Sequence, residues 1–216
     1  MIGGGGFPVI LSAPSGGGKT TIAKALLERR PDLGYSVSCT TRSPRPGEIP
    51  GRDYYFISRA EFIAEREQDA FAESAVVHGN LYGTLRREVQ RVLGEGKHVV
   101  MDIDVQGAMQ FQRAFPESVT IFILPPSADV LLERLRGRKT ESAAQLAARL
   151  QSALQELQEI GTYEYIVVND DLERAIASVG SIIDAETVSR QRVKNLRQQV
   201  GQLIERLERE IENNTP

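Results

Sequence analysis

Residues 7–11 form a short apolar, β-branched run that leads into Gly16, Gly17 and Gly18, then Lys19, Thr20 and Thr21, in "LSAPSGGGKTT". Beyond the glycines, Ile22, Ala23, Leu26 and Leu27 recur at helical spacing. A glycine cluster between a buried strand and a helix start leaves few folds open. Its glycines let successive backbone N–H groups turn inward on an anion, and the helix N-terminus favours negative charge. The lysine reaches outer phosphates and the hydroxyl suits magnesium. The candidate phosphate cradle is therefore Ala13, Pro14, Ser15, Gly16, Gly17, Gly18, Lys19 and Thr20, with Thr20 as the candidate metal ligand, and the pattern leaves open which nucleotide it holds. The pattern G-x-x-x-x-G-K-[ST] calls for glycine where Ala13 stands, and a positive φ there would cost alanine ~1 kcal/mol or more. A flexible connector with an incidental lysine is the bland alternative, which the placement between strand and helix disfavours.

Further strand-like runs at residues 99–103, 119–124 and 165–168 alternate with helical stretches at 85–93 and 130–135. That rhythm predicts an α/β fold with a parallel sheet covered on both faces. Residues 36–86 break it. They hold a Pro/Gly/Arg-rich loop, a strand-like 54–57, a helix opening on the capping box Ser58 to Glu61, the run 71–77 and a turn at His78, Gly79 and Asn80, which reads as an inserted lobe. Leu146, Leu150, Leu154 and Leu157 predict one apolar helix stripe. Val193, Leu196, Val200, Leu203, Leu207 and Ile211 repeat the idea at roughly heptad spacing, which leaves two readings open, pairing with another chain or folding back onto the domain.

Composition narrows the function classes. With 216 residues, 41% hydrophobic and 25% charged, the chain suits one compact domain, and a net charge of −3 provides no global attraction to nucleic acid or anionic lipid. The single cysteine, Cys39, forms neither an internal disulfide nor a zinc site. His78 and His98 are isolated and read as structural. No apolar run has membrane-spanning length, and the first residues lack an export leader, so a cytoplasmic protein with no nucleic-acid or membrane partner is expected. The run Gly3 to Gly6 is given no role.

A second cluster, "SCTTRSPRPGEIPGRDYY", sets Arg42 and Arg45 three apart in a proline-stiffened loop with Ser38, Glu48 and Tyr54, giving guanidinium forks and a phenol suited to one phosphate group. Downstream, "FAESAVVHGNLYGT" brings Glu73, Tyr82 and Thr84. A buried carboxylate accepts two parallel hydrogen bonds, and guanine offers N1–H and an amine side by side, so Glu73 is a candidate guanine reader.

Taken together, "SAPSGGGKTT", "TTRSPRPGE", "GRDYYF", "HGNLYGT", "DIDVQGA", "ILPPS", "RLRGR" and "IVVNDD" resemble, in order and spacing, the guanylate kinase family in its bacterial form. The resemblance covers about residues 7–186. It implies a P-loop nucleoside monophosphate kinase-like fold with a GMP-binding lobe at 38–86, a mobile lid at 137–158 and a C-terminal helical extension at 187–216. It also implies transfer of phosphate from ATP, with Mg²⁺, to GMP. On this resemblance Ser38, Glu73, Thr84 and Asp104 contact guanine, while Arg42, Arg45, Tyr54 and Tyr82 hold the GMP phosphate. Lys19 and Thr20 serve ATP and magnesium, Asp102 lies near the metal, Arg138 and Arg149 come from the lid, and Asn169 sits by the adenine. The catalytic set is Lys19, Arg42, Asp102, Arg138 and Arg149. Two departures stand out. Lys139 replaces a usual glycine, which bears on lid conformation, and Leu81 replaces a usual aromatic, which is expected to loosen packing around the nucleotide.

Each residue also has a plainer reading. Arg138 and Arg149 suit solvated helix faces, Asp102 and Asp104 suit helix capping at a strand end, and Tyr54 and Tyr82 suit amphipathic packing. Alternatives for the whole chain are a catalytically inactive guanylate-kinase-like binding module and a related small-molecule phosphokinase. The intact Lys19–Thr20 pair argues against the first and the guanine set against the second.

Overall fold

The structure, a computed structural model, describes residues 5–77, 79–136, 143–193 and 196–214. His78, Arg138 and Lys139 lie outside the described residues. In chain order the elements are β1 (Pro8–Ser12), α1 (Lys19–Arg29), β2 (Leu33–Tyr35), β3 (Cys39–Thr40), β4 (Tyr55–Phe56), α2 (Arg59–Glu67), β5 (Phe71–Val77), β6 (Asn80–Leu85), α3 (Arg86–Gly94) and β7 (His98–Asp102). There follow α4 (Val105–Ala114), β8 (Val119–Leu124), α5 (Ala128–Arg136), α6 (Ala143–Gln158), β9 (Tyr165–Val168), α7 (Leu172–Thr187) and α8 (Leu196–Asn214).

Five strands make one all-parallel sheet in the order β2-β7-β1-β8-β9, as the strand–helix alternation predicts. Side chains on a strand alternate between faces, so Val9 and Leu11 join Ile22, Leu26, Ile121, Ile176 and Ile183 on one side. Ile10 joins Val89, Val92, Met101 and Phe111 on the other. Burial on both faces explains why these strands read as unbroken apolar runs. The sequence reading missed β2 and β3, which are too short to show a period.

Residues 39–85 carry a second sheet, β4-β3-β6-β5, with β5 and β6 antiparallel. Its small core is Cys39, Phe62, Phe71, Leu81 and Leu85, and the Phe62 and Phe71 rings stack at 4.3 Å. Each fully buried phenylalanine contributes roughly 1.5–3 kcal/mol. Ser58 and Glu61 form the capping box that starts α2. Leu81 is 3% exposed inside this core, so the aromatic-to-leucine departure is filled by lobe packing and does not face the nucleotide crevice.

The predicted leucine stripe of α6 is corrected. Leu146 and Leu157 pack against Leu131, Leu135 and Ala153, but Leu154 is 56% exposed and Leu150 also faces outward. The inward face runs through Leu146, Arg149, Ala153 and Glu156 instead, because it lies over a polar loop.

Beyond α7 the chain is anchored by Arg192, which donates to Glu186 at 2.9 Å and to the Glu117 carbonyl at 2.8 Å and lies 4.1 Å over the Phe7 ring. Phe7 also meets the His98 ring at 4.1 Å and donates its N–H to His98 Nδ1 at 3.4 Å, so this histidine is buried among packing contacts. The tail does not fold back: no residue of α8 is buried, and Leu203, Leu207 and Ile211 are 60–64% exposed. No helix among the described residues is long and apolar enough to cross a membrane.

Candidate active site

Open parallel sheets place their ligand crevice at the carboxyl ends of the strands, and here β1 and β7 end at Ser12 and Asp102. The loop after β1 turns on Gly16 and Gly18, at φ of 83° and 97°, a region that side chains rarely enter. Ala13 is not among the positive-φ residues, so the departure from glycine carries no strain. It is fully buried instead, and Gly17 must be glycine because a Cβ there would meet the Ala13 methyl at 2.6 Å.

Within the loop the Gly17 N–H is spent on the Pro14 carbonyl at 2.7 Å and the Ser15 N–H on the Glu156 carboxylate at 3.0 Å. The N–H groups of Gly16, Gly18, Lys19, Thr20 and Thr21 have no acceptor among the described residues, which is the donor set of an anion nest at a helix N-terminus. Thr20 donates its hydroxyl to Asp102 at 2.6 Å. Asn169, 5% exposed at the end of β9, donates to the Gly17 carbonyl at 2.9 Å. Arg134 of α5 reaches the Asn169 carbonyl at 3.4 Å, and Gly16, Gly18, Arg134, Asn169 and Asp170 wall one cavity.

A second cavity is walled by Ser38, Tyr54, Glu73, Tyr82, Asp102 and Asp104. Glu73 and Thr84 are register partners across the β5–β6 hairpin, so both side chains rise on the same face. Thr84 donates its hydroxyl to Glu73 at 2.7 Å, and the Ser38 hydroxyl lies 3.4 Å from that of Thr84. Burial pushes the Glu73 carboxyl up to about 7, the Thr84 bond opposing and nearby Asp104 adding. Asp104 caps α4 through the Gly107 N–H at 2.7 Å and also lines the cavity.

Arg42 is held as a fork by Glu48 at 2.8 and 3.0 Å and also donates to the Tyr82 hydroxyl at 3.1 Å. These bonds, with the Arg45 N–H at 2.7 Å, keep the Glu48 carboxyl below its ordinary range. Glu48 therefore faces Arg42 as its counter-ion. Arg42 also lies 5.6 Å over the Tyr54 ring, and the Arg45 side chain is exposed at the lobe's rim.

From α6, Arg149 donates to the Leu135 carbonyl at 2.9 Å and reaches the Ser15 hydroxyl at 3.5 Å. Glu156, two helical turns on, meets the same Ser15, and burial raises its carboxyl against the pull of that N–H and of Lys19. Sequence reasoning missed Arg134 and Glu156. Spacing held a signal for Glu156, since it repeats Arg149 at a seven-residue interval.

The guanylate kinase family model matches residues 6–186. A guanylate kinase from Caldanaerobacter subterraneus subsp. tengcongensis is 46% identical over 88% of this chain and 93% of its own length. One from Rhizobium meliloti is 48% identical over 92% and 91%. The crystal structure of guanylate kinase from Anaplasma phagocytophilum superposes with a TM-score of 0.74 at 35% identity, covering 91% of this chain and 94% of that one. A crevice that joins an anion nest to a buried carboxylate, on a chain with these relatives along nearly its whole length, places the protein in one group: it belongs to the guanylate kinase family.

Proposed function

We propose that the two cavities divide the family's reaction between them, the glycine loop holding ATP and the lobe holding GMP. The chain transfers the terminal phosphoryl group of ATP to GMP, yielding ADP and GDP. The observation that carries the division of labour is Asp102, which accepts the Thr20 hydroxyl of the loop and also walls the Glu73 cavity, so donor and acceptor sites share one residue. Phosphoryl transfer is mainly a matter of positioning and charge neutralisation. Lys19, Arg149 and, from outside the described residues, Arg138 neutralise the transferring group; Arg134 and Asn169 hold the nucleotide end. Arg42, Arg45, Tyr54 and Tyr82 fix the GMP phosphate, while Glu73, Ser38, Thr84 and Asp104 read the base. Glu48 releases Arg42 to the incoming phosphate.

Thr20 and Asp102 are hard oxygen donors that fit magnesium, and no cluster of three metal-binding side chains lies among the described residues, which suits an ion brought by the nucleotide. Bound there, magnesium supplies neutralisation of the phosphate oxygens. The working unit on this reading is 7–186, with 38–86 as the acceptor lobe and 137–158 as the lid, active in the cytoplasm without nucleic acid or membrane. A coupled ADP-release assay offering GMP, AMP, CMP, UMP and ribose 1,5-bisphosphate tests it: turnover with GMP alone is expected, and silence with every acceptor on folded protein refutes it.

The Glu73 carboxyl gives a pH prediction. Only the ionised form presents two acceptors to guanine, and it is lost as pH falls through about 7. The KM for GMP should rise several-fold from pH 8 to pH 6, with a flatter profile in Glu73→Gln. Comparing the two removes the titration of the GMP phosphate itself.

The extension 187–216 pairs two copies through α8, whose Val200, Leu203 and Leu207 repeat at coiled-coil spacing on an exposed face. Sedimentation should show Leu203→Glu/Leu207→Glu shifting the protein to a smaller species with turnover retained. An unchanged mass excludes this helix as the contact.

A further inference from the structure

Ser15 is the third residue of the loop, and α6 holds it at both ends, the N–H by Glu156 at 3.0 Å and the hydroxyl by Arg149 at 3.5 Å. A carboxylate beside a polyphosphate site opposes ligand binding by charge alone, so its placement calls for a compensating role. The loop's hydrogen bonds indicate one. Glu156 and the Pro14 carbonyl occupy the Ser15 and Gly17 N–H groups and hold the first half of the loop, while the N–H groups of Gly18, Lys19, Thr20 and Thr21 have no acceptor among the described residues. The same carboxylate walls a cavity with Asp104, Gln106 and Met109 on the α4 side, and the Lys19 charge acts on it.

We propose that Glu156 is a positioning residue for the ATP site: by accepting the Ser15 N–H it sets the height of the phosphate loop against α6 and keeps Arg149 in register with that loop. Because α6 carries both contacts, a shift of the loop on nucleotide binding moves Arg149 with it, and the lid senses the phosphate chain through Ser15. The inference rests on the ATP-binding role of the loop given above. Gly16, whose Cβ position would lie 3.4 Å from that of Arg134, packs close against α5, so the loop is braced by α5 as well as α6.

The test uses full-length protein and two variants, Glu156→Ala and Glu156→Gln. Affinities for ATP and GMP are measured separately by calorimetry, and KM and kcat follow from the coupled assay. The alanine variant should bind ATP about tenfold more weakly and turn over about tenfold more slowly, with GMP affinity within twofold of wild type. Glutamine keeps an oxygen able to accept the same N–H, so Glu156→Gln should stay within threefold of wild type in every measure. Unchanged ATP affinity in the alanine variant overturns the proposal. So does an equal loss for ATP and GMP, the mark of a general structural defect, or a glutamine variant as impaired as alanine. Wild-type protein that fails to bind ATP refutes the ATP-site reading itself, which the wild-type arm detects independently of either variant.

Discussion

Lys19→Ala should lower kcat by about 100- to 1,000-fold or more while leaving the melting temperature nearly unchanged. Lys19 is the first residue of α1, and its ammonium group makes no hydrogen bond or ion pair with the described residues, so folding gains little from its charge. What it offers is a compact cation on a flexible stem at the mouth of the anion nest. Charge that develops on the transferring group is worth most to neutralise where water is excluded, and removing one preorganised donor from such a site costs ~3–4 kcal/mol. The pairing of a large kinetic effect with a small thermal one separates catalysis from stability. Turnover within tenfold of wild type would remove Lys19 from the mechanism.

Glu73→Gln should cut the preference for GMP over AMP in kcat/KM by about tenfold to a hundredfold while leaving the KM for ATP in place. The amide replaces one acceptor with a donor, which then opposes the guanine amine, and a buried polar mismatch carries the full desolvation cost. Equal discrimination in both proteins would falsify the base-reading role. The same variant carries a stability prediction of opposite sign. The folded carboxyl titrates near 7 against an ordinary 4.5, so the unfolded chain ionises first and stability falls as pH rises between those values. Above pH 7 the wild type bears the whole cost, on the order of 3 kcal/mol. At pH 8 the glutamine variant should therefore melt several degrees higher, and at pH 5 the advantage should nearly vanish. A residue that weakens its own fold to keep a charge ready is what a recognition site requires.

The glycine loop was legible because its chemistry is local: a strand, a nest and a helix start lie within residues 7–27, and the backbone has each, with the strand shifted by one residue from 7–11 to Pro8–Ser12. The β5–β6 hairpin was legible in part. Glu73 stood out as a carboxylate, but its pairing with Thr84 depends on register, which a bulge between Phe71 and Glu73 shifts. The face of α6 was misread for a physical reason. A leucine stripe predicts the buried side only where the neighbour is apolar, and here the neighbour is the phosphate loop, so Arg149 and Glu156 turn inward while Leu154 faces water. Spacing in α8 was read correctly as amphipathic, yet nothing in it says whether a helix finds its own domain. Arg134 was unreadable because its partner, the Asn169 carbonyl, is brought near only by the pairing of β8 with β9.

Cys39 sits in the acceptor lobe's core, 2% exposed, and burial pushes its thiol up to about 12. The only sulfhydryl of the chain is thus both shielded and protonated at neutral pH, and alkylating reagents reach it only when the Phe62–Phe71 cluster parts. Its labelling rate is a built-in clock for the opening of that one lobe. Slowing of the clock by GMP, with little response to ATP, would report which half of the molecule each nucleotide rigidifies, without any introduced probe.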